Sequence, residues 1–174
     1  LGSITIMIDK TYNVGDWIAT SETEGIVEEI GFRSTKIRTF ADAVTSIPNS
    51  IMSNEPVTNW SRMGRRRVAF NLYIPADTPA EKVKILLSNI RKVIEGSEDV
   101  NHEAIKVANM NGFEEGNIRI FIQYFTKTTS FVTYNNVNEK IYLEILQILN
   151  ELNIHLSAPV RHIQIGNRHV LPDK

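Results

Sequence analysis

Short alternating runs occupy the first third of the chain, at 17–20, 25–30, 35–40 and 44–47, each bounded by turn residues. Strands this short and this closely spaced predict a small barrel of the Sm-like or SH3-like kind. Val14-Gly15-Asp16 opens the first run and Gly31 separates the second from the third. At such positions a positive φ or a close backbone approach favours glycine. Pro48-Asn49-Ser50 stops the pattern, Ile51 to Asn54 reads as one helical turn, and 57–61 reads as extended.

A second pattern follows. Val68, Phe70, Leu72 and Ile74 alternate against Ala69, Asn71 and Tyr73, predicting a half-buried strand over 65–74. Thr78, Pro79 and Glu81 have capping-box spacing, with Thr78 as the cap and Pro79 at the first helical position. Val83, Leu86, Leu87, Ile90 and Ile94 then recur at helical spacing up to Gly96. Strands are predicted at 104–110 and 117–126, joined as a hairpin near Asn111-Gly112. Ile141, Tyr142, Ile145, Ile148 and Leu149 predict a helix over 137–152, and alternation returns after Pro159 at Ile163 and Ile165. The order β-α-β-β-α-β is that of a ferredoxin-like sandwich, so the predicted class is α+β: a small β-barrel, a ferredoxin-like α/β unit and a C-terminal strand. The predicted boundaries are 1–10, 11–63, 64–157 and 158–174.

Composition narrows the partners. The chain has 174 residues, enough for one or two small domains, and 42% of them are hydrophobic against 22% charged, the balance of a packed fold. A formal charge of -1 argues against nucleic acid, since phosphate neutralisation needs a basic surface. With no cysteine, disulfides, thiolate nucleophiles and Cys-ligated zinc are excluded, and a reducing compartment is expected. The apolar start at Ile4 to Ile8 is too short to span a bilayer core of about 30 Å. It also lacks the marks of a signal peptide, and the missing initiator Met predicts a longer natural chain.

No catalytic constellation emerges. His102, His155, His162 and His169 form neither HxxxH nor HExxH, so no metal is expected. Adjacent Glu28-Glu29 and Glu114-Glu115 are expected to diverge onto opposite strand faces rather than share a proton. Ser34, Ser61 and Ser130 lack a Gly-x-Ser-x-Gly setting, and there is no glycine-rich phosphate loop, so neither enzyme nor cofactor is expected. Gly112 to Gly116 has GxxxG spacing but reads as a turn rather than a membrane contact. Arg62, Arg65, Arg66 and Arg67 suit salt bridges or a local ion field better than anion binding. Asn49 and Asn59 suit backbone groups at turns, and the Asn59-Trp60-Ser61 sequon would be inert in the cytosol. An RNA- or small-ligand-binding module is the alternative reading, but an RNA platform exposes aromatics beside basic groups. Here Trp17, Phe40 and Trp60 lie in runs expected to be packed.

Tyr12-Asn13-Val14-Gly15-Asp16-Trp17-Ile18, Gly25-Ile26-Val27-Glu28-Glu29-Ile30, Arg33 to Phe40, Ile47-Pro48-Asn49 and Asn59-Trp60-Ser61-Arg62 occur in that order. They resemble the β-domain of the small-conductance mechanosensitive channel (MscS) family. The resemblance continues as element order through the α/β unit to about Ile165, and departs at Ala41-Asp42-Ala43, where the family often has Asp-Gly. It implies a homoheptamer of an inner-membrane protein whose pore-lining helices lie upstream, with Gly2 to Ile8 as the end of a pore-linked amphipathic helix. It also implies a hollow cytoplasmic vestibule with side portals, permeating ions, release of small solutes on hypoosmotic shock, and no nucleic-acid partner. By the same resemblance Gly15, Asp16, Gly25, Arg33, Arg38, Pro48, Asn49, Asn59 and Arg62 are candidate structural or subunit-interface residues. The guanidinium forks of Arg33 and Arg38 suit carboxylates or backbone carbonyls across a packed ring.

Overall fold

Residues 11–157 are described by the computed structural model, and the chain divides between Gly64 and Arg65 into two units. The N-terminal segment Gly2 to Ile8 and the alternation at Ile163 and Ile165 lie outside the described residues.

In the first unit, strand residues pair antiparallel as β1 (Trp17–Ala19), β2 (Glu24–Ile30), β3 (Ser34–Thr39), β4 (Val44–Pro48) and β5 (Thr58–Asn59), in the sheet order β4-β3-β2-β1-β5. A one-turn helix, α1 (Asn49–Met52), follows β4 directly, and a 3-10 turn at Trp60–Arg62 follows β5. The helical turn therefore starts two residues earlier than the sequence suggested, because Asn49 is the first helical residue rather than a spacer. Period-two alternation sends Ile18, Val27, Ile37 and Ile47 to one face, where Tyr12 and Met52 close the core. Gly25 is required by contact: a Cβ there would lie 2.1 Å from the Arg38 carbonyl oxygen across the β2–β3 ladder.

The second unit is a three-stranded antiparallel sheet, order β6-β8-β7, formed by β6 (Arg66–Pro75), β7 (Val107–Glu114) and β8 (Asn117–Thr126). Helices α2 (Ala80–Gly96) and α3 (Phe131–Glu151) supply apolar stripes, Val83, Leu86, Ile90 and Ile94 from one and Ile141, Ile145 and Leu149 from the other. Both stripes meet Val68, Leu72 and Ile74 of β6 and Ile118, Ile120, Ile122 and Tyr124 of β8 in one core. Among the described residues the element order is β-α-β-β-α.

Four local expectations are corrected. Thr78 does not cap α2: Pro79 holds the N-cap position with ψ 138, no side chain bonds the cap, and the Thr78 hydroxyl donates back to the Pro75 carbonyl at 2.6 Å. The β7–β8 turn is Glu115-Gly116, both at positive φ (46 and 79), flanked by the pair Glu114↔Asn117. Asn111-Gly112 instead forms a bulge, with Gly112 at φ 144. Helix α3 begins at Phe131, six residues before its apolar period, because Phe131 and Val132 face solvent. Finally, Glu28 and Glu29 do not diverge. The register shift between Val27 and Glu29 makes Glu28 an extra residue, both carboxylates stay exposed, and each takes its own cation.

Candidate functional site

The outer face of the five-stranded sheet carries one of the residues singled out as interface candidates, Arg38, together with the aromatics Trp17, Phe40 and Trp60. Trp17, Ile26, Arg38 and Val44 are direct cross-strand partners in a row, and partners in register share a face. Phe40 stands edge-on to Trp17 with ring centroids 5.5 Å apart, and Trp60 lies 5.9 Å away on the same ring. Phe40 is 66% exposed and Trp60 41%, so the expectation that these aromatics are packed inside is wrong. Alternation assigns residues to a common face; which face is covered depends on the rest of the unit. Val14, Ile26 and Phe40 wall a shallow depression of about 620 Å³ whose charged members are Glu28, Arg38 and Asp42.

Arg38 crosses this face between two acids. Its Nη2 donates to Glu28 Oε1 at 2.8 Å, and its Nη1 reaches Asp42 Oδ1 at 3.2 Å and the Asp42 carbonyl at 3.1 Å. Asp42 sits at φ 64, where asparagine and aspartate are the best tolerated residues after glycine. The β3–β4 turn therefore closes without the Asp-Gly pair. On the same face Lys36 Nζ binds Glu29 Oε2 at 2.6 Å, which raises the ammonium above its ordinary range through that hydrogen bond and charge. Glu24 accepts the indole N–H of Trp17 at 2.8 Å. The exposed aromatics are thus ringed by acids that occupy the nearby cations, a poor platform for phosphate backbones.

The remaining candidates hold the loops. Gly15 turns at φ 94 and donates its N–H to the Val27 carbonyl at 2.7 Å. The Asp16 carboxylate accepts from the Asn13 amide and from Asn59 Nδ2, both through Oδ2 at 2.9 and 2.8 Å. Asn59 also donates to the Thr11 carbonyl and accepts from the Ser61 amide, fastening the 3-10 turn to the strand entry. Asn49, 2% exposed, follows Pro48 out of β4; its Nδ2 donates to the Gly31 carbonyl at 2.8 Å and its Oδ1 accepts from Thr35 Oγ1 at 2.8 Å. Arg33 offers its carbonyl to the Asn49 amide, and the Arg33 and Arg62 side chains are exposed.

Of the arginines expected to make salt bridges or set a local ion field, Arg65 and Arg66 of the second unit stack on rings. Arg65 lies 5.2 Å from the Phe125 centroid, and Arg66 lies 4.8 Å from Tyr134 and 5.2 Å from Phe131. Arg67 places its fork on Gln123 Oε1. Sequence reasoning missed these pairs because the aromatic partners are about sixty residues away. Among the described residues no three His, Asp or Glu side chains converge as a metal site, and no helix is long and apolar enough to cross a membrane.

Residues 1–62 match the family model described as the mechanosensitive ion channel β-domain, and residues 68–156 match that described as the MscS C-terminal region. An MscS family protein of Bacillus subtilis, YhdY, is 33% identical over 168 residues, covering 97% of this chain and 45% of the relative. The small-conductance mechanosensitive channel MscMJ of Methanocaldococcus jannaschii is 33% identical over 162 residues, covering 91% and 45%. The crystal structure of Helicobacter pylori MscS in its closed state superposes with a TM-score of 0.77 at 21% identity, over 96% of this chain and 64% of that one, which shows a shared fold. The chain spans about half the length of the curated relatives it matches. With one channel domain matched on each side of Gly64 and Arg65, the chain belongs to the MscS family of mechanosensitive ion channel proteins.

Proposed function

We propose that this chain is the vestibule-forming part of a tension-gated channel subunit, which releases ions and small solutes from the cell on hypoosmotic shock. The observation that carries it is the match of both units, in chain order, to the two domains of this channel family, together with relatives that are named as mechanosensitive channels. In this reading the whole protein sits in the inner membrane through helices upstream of the chain, the present residues lie on the cytoplasmic side, and no step is enzymatic.

The outer face of the five-stranded sheet supports assembly. Aromatic and aliphatic side chains of this size are normally covered, and rows of them on a surface mark association sites. In this proposal Trp17, Val14, Phe40, Val44 and Trp60 pack against neighbouring copies in a ring of seven. Arg38, Glu28 and Asp42 form the charged rim of that contact, and Gly15, Gly25, Asn49 and Asn59 set the loop geometry that presents it. Tension gates such a channel only through a free-energy difference between closed and open states, which the ring transmits by staying assembled in both.

The test is patch recording from bacterial membranes that lack their own tension-gated channels and express the complete native protein, with suction to raise tension. A tension-dependent conductance absent from empty-vector membranes is expected. Correct insertion without current at any tolerated tension would overturn the proposal and favour a sensory or scaffolding role.

A further inference from the structure

The edge strand β7 carries a hazard and a guard. It pairs with β8 on one side, and among the described residues no strand pairs with its other side, which is a template on which another strand can build. The side chains around that edge make such pairing favourable: Ile105 is 71% exposed, Phe113 72% and Met110 38%. Helix α2 shares a core with Ala108, but an open depression of about 300 Å³ lies between its last turns and Lys106 to Asn109.

Two side chains of α2 bridge that gap, Glu95 to Lys106 at the strand entry and Arg91 to the edge itself. Arg91 of α2 donates from Nε to the Ala108 carbonyl at 3.1 Å and from Nη2 to Asn109 Oδ1 at 2.8 Å. Its guanidinium therefore occupies an outward-facing backbone acceptor near the start of the edge and sets a cation where an incoming strand would lie. Lys106 fixes the strand entry, with Nζ on the His102 carbonyl at 3.0 Å and on Glu95 Oε1 at 3.2 Å. The bulge at Asn111-Gly112 breaks the straight run on the other side. The stretch between these two devices is guarded by Arg91.

We propose that Arg91 holds the β7 edge closed against strand addition, and that without it β7 pairs antiparallel with β7 of a second copy of this chain. A second copy is the fitting occupant because antiparallel pairing about a two-fold axis matches an edge to itself, including its exposed apolar side chains. This surface belongs to the second unit and the sheet face assigned to ring assembly belongs to the first, so either assignment can fail alone.

The experiment follows the mass of the 174-residue chain by light scattering over a concentration series, for the parent, Arg91→Ala and Arg91→Ala/Met110→Lys, with circular dichroism to confirm folding. Association of Arg91→Ala beyond the parent's state is expected at a concentration lower by a factor of about ten or more. New hydrogen-exchange protection should fall on the β7 amides. Met110→Lys, a charge on the same edge, should return the mass to that of the parent. An Arg91→Ala mass equal to the parent's throughout, or association that Met110→Lys leaves intact, overturns the proposal. If Arg91→Ala fails to fold, Asn109→Ala takes its place, since it removes the side-chain anchor alone; it should raise association to a smaller degree, and an unchanged mass overturns the proposal.

Discussion

The five-stranded sheet of the first unit and the three-stranded sheet of the second each bury one face, but they are held by different means. Two helices of 17 and 21 residues cover the second sheet, and its core is a largely aliphatic layer within which Tyr124 bonds Asn138 at 3.0 Å. Among the described residues the first sheet has a four-residue helix and a 3-10 turn beside it and a core of few side chains, into which a polar pair, Thr35 and Asn49, is built. A small core supplies little hydrophobic stabilisation. Specific backbone contacts therefore carry more of the definition of the first unit, while buried area carries more of the second. The same economy leaves the outer face of the first sheet rich in aromatics, available for contacts with other copies.

The comparison can be broken most severely at Gly25. Gly25→Ala puts a Cβ against the Arg38 carbonyl, which the β2–β3 ladder cannot accommodate, and a loss of about 4 kcal/mol or more is expected. Hydrogen exchange should show that loss in the first unit while β8 and α2 amides keep their protection. Asn49→Ala should cost about 1–3 kcal/mol by leaving the Gly31 carbonyl and the Thr35 hydroxyl without partners, read as a lower denaturation midpoint of the first unit.

Alkaline pH probes the second unit. Burial raises the Tyr124 hydroxyl well above its ordinary value of 10.0, so the folded chain holds that proton more tightly than the unfolded one. The resulting stability is fully present below pH 10 and is lost as pH rises toward the folded value. Tyr124→Phe should flatten this unit's alkaline loss while lowering its stability at neutral pH, because Asn138 Oδ1 loses its donor. Fluorescence-monitored titration of both proteins checks the slope. The smallest effect on stability belongs to Phe40→Ser, within about 0.5 kcal/mol for so exposed a side chain. The same change should weaken assembly, seen as a lower mass in native mass spectrometry; an unaltered mass would remove Phe40 from the contact.

Most strands were legible because alternation is local: the run at 25–30 is β2 with one residue added at its start, and 117–126 is β8 to the residue. Features set by distant neighbours were not. Asn-Gly is the strongest short hairpin signal, so 111–112 drew the turn that Glu115-Gly116 makes. The first turn of α3 is hidden in sequence because Phe131 and Val132 point outward, with Phe131 serving as a stacking surface for Arg66. The candidate site was read as individual residues and not as a surface. Gly25, Asn49 and Asn59 stood out, but the gathering of Trp17, Phe40 and Trp60 on an exposed face depends on which side of the sheet the core occupies.

The extra residue at Glu28 has a consequence for how the chain tolerates changes in length. Elsewhere in β2 the loss of one residue would turn every later side chain over, sending Ile30 out and an acid in. At Glu28 a deletion would leave Val27 opposite Ile37 and bring Glu29 beside it opposite Lys36, with the ladder in phase on both sides. This position is a joint at which the chain can lose a residue with the ladder still in phase, and an engineer wishing to shorten the sheet would begin there.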